Sequence, residues 1–573
     1  MVSERLSLRQ LCTGPEPCRQ ALSGCPQRAV LHHAELLQHY EFVAGAGTAQ
    51  CAAFSGCAVA VVVLPDSGAN AAPLSLKNAA RVATLTPKCV FSTSGTEAGA
   101  VLAALAAAGT HSGACAWRWL RVQGVAVKHV SGLEAVDRDA ERLSLLLMSL
   151  PALESISVSK LHREWSCTSP ADAQVYLAGA ARAIGRCPCL LHLKVTILLD
   201  NGEDQVPDTF GQDLAGARTL EELHLAVLCM GAVNFDMPPS AHIAYLVAGL
   251  AGLSRLRALT LQSQLIRMAA PLPACLSRLA QLTSLRLSGL DGLRCAPGWA
   301  RLPLLASLKF DSCTFAADGE DALPGMDSLA ALTRFDVLGC RSLRVLPASL
   351  WQLTQLRALA HMGNRSMSVQ SPRSELPVAG LPALGAPCFA SLTSLSLAGH
   401  YLPVFPAGVL AMSCLKHLDL SHGCFEHLPE GVTVLTALEE LRLGRYADFR
   451  NGLQCMTGGS LDARGLGSLA GFPCLRRLSF NNCCVLFCPS IQAAAVHPRL
   501  ERLRLRSSYS ARGPSWLAFL NFVGSLLQQG RVDVLNIVNC NILGEPDRVT
   551  FCAALQAVGL PKEDLNKPCF DNE

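Results

Sequence analysis

The chain has 573 residues, of which 50% are hydrophobic, 5% aromatic and 16% charged, and its formal net charge is +4. So small a charge over that length excludes a strong overall electrostatic tether to nucleic acid or membrane. So few aromatic residues exclude a conventional core of this size and point to one built on Leu, Ala and Val.

Residues 1–50 show no repeat. They hold Cys12, Cys18 and Cys25 and a short helical candidate, Val30 to Phe42. The stretch reads as a flexible leader or N-terminal cap, with a small interaction module as the alternative. His32, His33, Glu35 and His39 fall within it, but their spacing is not HExxH and predicts no metal site. The longest apolar runs, Cys57 to Leu64 and Ala98 to Ala108, are too short to span a bilayer, and the first residues lack the apolar stretch of a signal peptide. A cytoplasmic protein is therefore expected. Residues 51–116 read as a cap and degenerate repeats. Val82, followed by Leu85, begins such a unit near residue 80, and Thr96 to Ala108 is a helix candidate behind it.

Residues 117–545 are dominated by one period. Leu415-Lys-His-Leu418-Asp-Leu420 has leucines at relative positions 1, 4 and 6. The same spacing begins at Leu153 (with Ile156 and Val158), Leu190, Leu220, Leu256, Leu282, Leu305, Leu332, Leu392, Leu438, Leu475, Leu500 and Val532. At Leu356 the third position is His361, so that unit is weaker, while Trp117 with Leu120 and Val122 looks like a degenerate one. Position 9 is Cys313, Cys340, Cys483 or Cys540 in four units and Asn364 in another, and position 11 is Phe315, Leu402, Phe425, Val485 or Ile542. In an extended strand, residues 4 and 6 point to one side and 3, 5 and 7 to the other. The leucines therefore enter a core, and the residues between them face solvent. Leu285, Leu308, Leu395, Leu418, Leu441, Leu478 and Leu503 are expected to form one buried row.

Unit starts from Leu282 through Leu438 are 23, 27, 24, 36, 23 and 23 residues apart. Pro273, Pro347, Pro406 and Pro429 each lie nine residues before the next start, where a fixed φ begins a short helical return. From Leu153 to Leu190 the step is 37 residues, and Tyr176 to Ile184 reads as a full helix. Asn364 to Pro387 and Tyr446 to Gly465 read as loops leaving the array, and residues 546–573 as a C-terminal cap and tail.

The pattern LxxLxLxx(N/C)xL resembles the leucine-rich-repeat family over the last three-quarters of the chain. Its LPxxLxxLxxL return resembles the intracellular repeat proteins that act as Ras-pathway scaffolds, and the related plant intracellular proteins. The resemblance implies an α/β solenoid, a curved horseshoe with a parallel concave β-sheet and with helices and short helical turns on the convex side. It implies a non-enzymatic scaffold or adaptor that offers its concave face to a protein partner, and it suggests a cytoskeletal or axonemal location.

No CxxC occurs among the 26 cysteines, and a chain of this length is not a small disulfide-rich domain, so reduced structural thiols are expected. Cys187 and Cys189, or Cys483, Cys484 and Cys488, lack metal-ligand spacing. No Gly-Lys pair exists, which excludes a Walker-type phosphate loop. No nucleophile and base stand at a working spacing, so no catalytic residue, metal or cofactor is expected.

Positions 3, 5 and 7 give the exposed strand surface. In the middle units these are Ser284, Ser288, Ala358, Ala360, Ser394, Ser396 and Ala398, with Arg286 and Lys309 the exceptions. Toward the C-terminus they become Arg442, then Arg477, then Arg502, Arg504 and Arg506, with Glu440 at the edge. This reads as a patch for an acidic protein partner. A solvated charged face balanced by Glu439, Glu440 and Glu501 is the alternative. Two other functions remain open: the substrate-recognition subunit of a ubiquitin-ligase complex, although no F-box motif is visible, or an RNA- or phospholipid-binding surface on the arginines.

Overall fold

The computed structural model describes residues 153–163, 170–199, 206–229, 242–263, 271–316, 322–363, 386–423, 428–445, 471–481 and 499–506, with single-residue or two-residue gaps at 273, 341–342, 344, 401 and 403. It also describes Leu147 and the strand segments 50–53, 60–64, 89–93, 119–122, 125–127, 461–462, 485–486 and 534–538. The expected helices at Val30 to Phe42 and Thr96 to Ala108, the Val82 unit, Pro273, Asn364, and Cys483 and Cys540 lie outside these residues, as does nearly all of both loops. The chain divides into two compact units, Met1–Leu302 and Pro303–Glu573.

In the first unit β1 (Gln50–Ala53) pairs antiparallel with β2 (Ala60–Leu64), which pairs parallel with β3 (Cys89–Thr93). The repeat ladder follows: β4 (Trp119–Val122), β5 (Val125–Val127), β6 (Ser155–Arg163), β7 (His192–Leu199), β8 (Glu222–Cys229), β9 (Ala258–Ser263) and β10 (Ser284–Ser288). Every pairing in it is parallel, and the repeat positions stay in register. Leu120 faces Ile156, which faces Leu193, then Leu223, Leu259 and Leu285.

Parallel strands need crossovers, and unit length decides their form. The long early units have room for α1 (Pro170–Gly185), α2 (Phe210–Leu214) and α3 (His242–Gly249). These helices pack closely enough that side chains are excluded at their contacts. A Cβ on Gly185 would run into the Asp213 carbonyl, and one on Gly211 into that of Leu246.

In the second unit the ladder runs β11 (Ser307–Asp311), β12 (Arg334–Leu338), β13 (Ala358–Met362), β14 (Ser394–Ser396), β15 (His417–Gly423) and β16 (Glu440–Arg445). A short strand, β17 (Leu461–Asp462), pairs apart from it with β19 (Val485–Leu486), while β18 (Arg477–Asn481), β20 (Arg502–Arg506) and β21 (Val534–Val538) continue the main ladder. All its pairings are parallel; Leu308, Phe335, Leu359, Leu395, Leu418, Leu441, Leu478, Leu503 and Leu535 follow one another in register. Returns here are 3-10 turns such as Ala348–Gln352, Ala407–Ala411 and Glu430–Val434. Each opens after Pro347, Pro406 or Pro429, at φ −61, −71 and −66°, whose carbonyl accepts the N–H of the turn's third residue (Leu350, Val409 or Val432) at 3.0–3.1 Å.

The core of each unit lies between ladder and returns. Leu285, Leu308, Leu395, Leu418, Leu441 and Leu478 are all at most 3% exposed, each burial contributing roughly 1.5–3 kcal/mol. Phe310 and Phe335 replace leucines at positions 6 and 4 and meet edge to face at 6.1 Å. At position 2 a threonine recurs: the hydroxyls of Thr283, Thr333 and Thr393 each donate to the carbonyl at position 2 of the preceding unit, at 3.0 Å.

Two turn positions close each strand. Position 8 is left-handed in Gly289, Gly339 and Gly399 (φ 69, 64 and 79°) and in Ser312 (φ 54°), a conformation that costs a non-glycine residue about 1–2 kcal/mol. Position 9 is buried, and the thiols of Cys313 and Cys340 donate to the carbonyls of Asp311 and Leu338, both at 3.6 Å. These cysteines are layer residues, as the pattern predicts.

Candidate functional site

The alternation that buries the leucines leaves positions 3, 5 and 7 on the open face of each ladder. In the second unit, position 3 runs Ser307, Arg334, Ala358, Ser394, His417, Glu440, Arg477 and Arg502 in register. Position 5 runs Lys309, Asp336, Ala360, Ser396, Asp419, Arg442, Ser479 and Arg504. The floor of small residues at β13 and β14 is thus present, between charged flanks.

On the flank before it, the carboxylates are matched by cations. Arg334 Nε donates to Asp336 Oδ2 at 2.7 Å, and Lys309 lies 3.9 Å from Asp311. Asp336 is 3% exposed and its second oxygen, Oδ1, is buried with no hydrogen-bond partner, so the Arg334 contact is what holds its charge in place.

On the flank after it stands the predicted arginine patch. Arg442, Arg477 and Arg502 are exposed, and the side chains of Arg504 and Arg506 lie outside the described residues. Glu440, expected at the edge, is instead central: it sits between His417 and Arg477 in register. Arg442 Nε donates to Glu440 Oε1 at 2.7 Å, and Arg477 Nη1 and His417 Nδ1 reach its Oε2 at 3.5 and 3.4 Å. Arg442 also approaches Asp419 at 3.9 Å. Burial pushes the Glu440 carboxyl up, but the Arg442 hydrogen bond and the charges of Arg442, Arg477 and His417 hold it below its usual value. Glu439 is lowered by its hydrogen bond from Lys416 at 3.0 Å, and Arg476 pairs with Glu501 at 3.6 Å. Arg442 and Arg477 therefore share a carboxylate that the chain supplies itself.

β20 differs. Arg502, Arg504 and Arg506 are paired in register with Arg477, Ser479 and Asn481 on one side and with Val534, Asn536 and Val538 on the other. No carboxylate stands opposite any of the three on either neighbouring strand. Residue spacing alone could reveal the alternating arginines, but which strands flank them depends on the pairing.

The first unit carries a row of basic residues of which the sequence reading named only Arg286. Position 5 runs Lys194, His224, Thr260 and Arg286 on β7 to β10. Burial lowers the His224 pKa, and the charges of Lys194 and Arg286 lower it further. At position 3, His192 pairs with Glu222 at 3.1 Å. The missed signal was a Lys, a His and an Arg at the same repeat position in units starting at Leu190, Leu220 and Leu282.

Among the described residues, no group of three or more His, Cys, Asp or Glu side chains is gathered to hold a metal, and no helix is long and apolar enough to cross a membrane.

No family model matches the chain, and no curated protein matches it. Among solved structures the chain is similar to a leucine-rich-repeat protein of Leptospira interrogans, at 15% identity and a TM-score of 0.46, over 80% of this chain and 98% of that one. It is also similar to an internalin of Listeria monocytogenes, at 12% identity and a TM-score of 0.36, over 73% of this chain and 87% of that one. The fold assignment rests on the chain's own layers: parallel strands one per repeat, leucines at positions 1, 4 and 6 in register, and a buried turn residue at position 9. By these features the protein is a leucine-rich-repeat solenoid.

Proposed function

We propose that the protein is a non-enzymatic scaffold or adaptor whose open sheet face binds a protein partner, and that Arg502, Arg504 and Arg506, bordered by Arg477 and Arg442, receive an acidic segment of it. The observation that carries this reading is the register of β20, with three arginines at alternate positions and no carboxylate opposite them. Alternate residues on a strand are about 6.8 Å apart. Three guanidinium groups at that spacing repel one another, and an external carboxylate relieves the repulsion while using the planar donor fork of Arg. Arg442 and Arg477, already shared with Glu440, border the patch and contribute less.

Replacing Arg502, Arg504 and Arg506 by Glu tests this. Capture of the partner is expected to be lost, while the thermal unfolding midpoint stays within a few degrees. A triple variant that keeps its partner would refute the assignment and move attention to the small-residue floor at β13 and β14. Anionic vesicles and single-stranded RNA, tried in parallel, are expected not to compete with the protein partner.

A further inference from the structure

We infer that a second recognition site lies on the open face of the first unit, where Lys194, His224 and Arg286 take an extended acidic peptide that crosses β7 to β10. This rests on the reading of the open face as a protein-binding surface, and it concerns residues separate from the β20 arginines.

The geometry begins with register. Lys194, His224, Thr260 and Arg286 occupy one row on four consecutive strands. Lys194 and Arg286 are exposed, and His224 and Thr260 are partly so. Strands about 4.8 Å apart put the two outer cations about 14 Å from each other. An extended peptide rises about 3.4 Å per residue, so side chains at i and i+4 are also about 14 Å apart. Carboxylates at i and i+4 therefore reach Lys194 and Arg286, and one at i+2 falls between His224 and the Thr260 hydroxyl.

The neighbouring rows narrow the track. At position 7 the row is Thr196, Ala226, Gln262 and Ser288, polar groups around one small residue. These can hydrogen-bond a peptide backbone. At position 3, Glu222 faces the row with its carboxylate already on His192, and it repels an anion that strays to that side. The mixed charge disfavours a polyphosphate, and none of these rows holds a Phe, Tyr or Trp on which a nucleic-acid base could stack. An acidic peptide is what the pattern fits.

His224 makes the site sensitive to pH. The charged groups around it are Lys194 on β7, Glu222 and its partner His192 on the adjoining row, and Arg286 on β10, while Thr260 on β9 is neutral. Burial, Lys194 and Arg286 keep the free imidazole neutral near pH 7. A carboxylate placed above it favours the protonated form, so binding takes up a proton and strengthens as the pH falls.

The test uses the full chain carrying Arg502→Glu, Arg504→Glu and Arg506→Glu, and a fluorescein-labelled Gly-Asp-Gly-Asp-Gly-Asp-Gly peptide read by anisotropy. Residual binding is expected in this background. It should weaken at least tenfold on adding Lys194→Glu and Arg286→Glu, and severalfold with the milder Lys194→Gln and Arg286→Gln pair. Affinity should rise between pH 7.5 and 6.0, by at most about tenfold per pH unit for one proton, and His224→Asn should flatten that slope. Circular dichroism confirms that each variant is folded. If wild-type binding is abolished by the three β20 substitutions alone, this site is refuted and the β20 reading stands. If binding survives those three but ignores Lys194 and Arg286, this site is also refuted. If binding is reduced by those three and the remainder follows Lys194 and Arg286, both sites stand; if those three leave it undiminished and it follows Lys194 and Arg286 alone, the β20 locus falls and this one stands. Tighter binding of oligouridine or of phosphatidylserine vesicles than of the peptide to this row would overturn the acidic-peptide assignment.

Discussion

His361 occupies position 6 of its unit, where the repeat calls for leucine, and His400 occupies position 9 of the next, where it calls for Asn or Cys. Both rings are buried, at 1% and 3% exposure, with centroids 4.4 Å apart. The Leu343 carbonyl, 3.1 Å from His361 Nε2, can only accept, so Nε2 carries the proton and Nδ1 is left buried with no hydrogen-bond partner. Burial first, and the neighbouring His400 second, hold the His361 pKa well below its usual value. The sign follows directly. Above the unfolded-state value of about 6.5 both states are neutral and nothing is lost. As the pH falls below that value the unfolded chain binds a proton that the folded chain refuses, and stability is lost until the folded pKa is reached. For one proton the loss between pH 8 and pH 5 comes to at most about 2 kcal/mol. His361→Leu removes it. At pH 8 the variant should lie within about 1 kcal/mol of wild type, because losing the unpaired Nδ1 offsets leaving the Leu343 carbonyl without its donor. Between pH 8 and pH 5 its stability relative to wild type should rise, by at most about 2 kcal/mol. Urea unfolding followed by circular dichroism at both pH values measures the difference, and the histidines remote from this pair cancel. Parallel pH curves for wild type and variant would refute the reasoning.

Three further outcomes are expected. Leu418→Ala, in a row flanked by Leu395 and Leu441 and 1% exposed, should lower unfolding stability by about 2–5 kcal/mol in the same urea assay. Ser312→Gly should raise stability by up to about 1 kcal/mol by relieving the left-handed turn, whereas Gly399→Ala should lower it by at least about 1 kcal/mol, since φ is 79° and the new Cβ would lie 3.1 Å from the Gly363 carbonyl oxygen. Alkylation at pH 8 followed by mass spectrometry should find the exposed Cys189 and Cys414 modified quickly. Cys313 and Cys340 should react only after denaturation, as should Cys187 and Cys388, whose thiols burial pushes up to about 12 and about 11.

The repeat was legible because one physical requirement recurs. Apart from His361, the repeat layers put an apolar side chain at positions 1, 4 and 6, so the leucine spacing also states the strand register, and Leu285 or Leu418 lands where its spacing predicts. Helix α1 was legible for a related reason, since a 37-residue step leaves more chain than a short return can use. The left-handed position 8 was available in principle, with Gly289, Gly339, Gly363 and Gly399 there in four units, but Ser312 obscures it. What the spacing could not state is which groups meet across strands. Glu440 looks like an edge residue until pairing sets it between His417 and Arg477. The row of Lys194, His224 and Arg286 looks like three isolated residues, because 30 to 92 residues separate them along the chain while only strand spacings separate them in the sheet. The division after Leu302 has no sequence mark, for the step from Leu282 to Leu305 is an ordinary 23 residues.

The central claim is that this solenoid binds a protein through its open sheet face. Site-specific photo-crosslinking tests it most directly, with a benzophenone side chain placed in turn at open-face positions 286, 396 and 502 and at exposed positions 278, 352 and 407 in the 3-10 returns. The account predicts that the open-face positions capture a common partner in cells expressing the protein, and that the return positions do not. Capture of that same partner from the returns, with none from the strands, would contradict it.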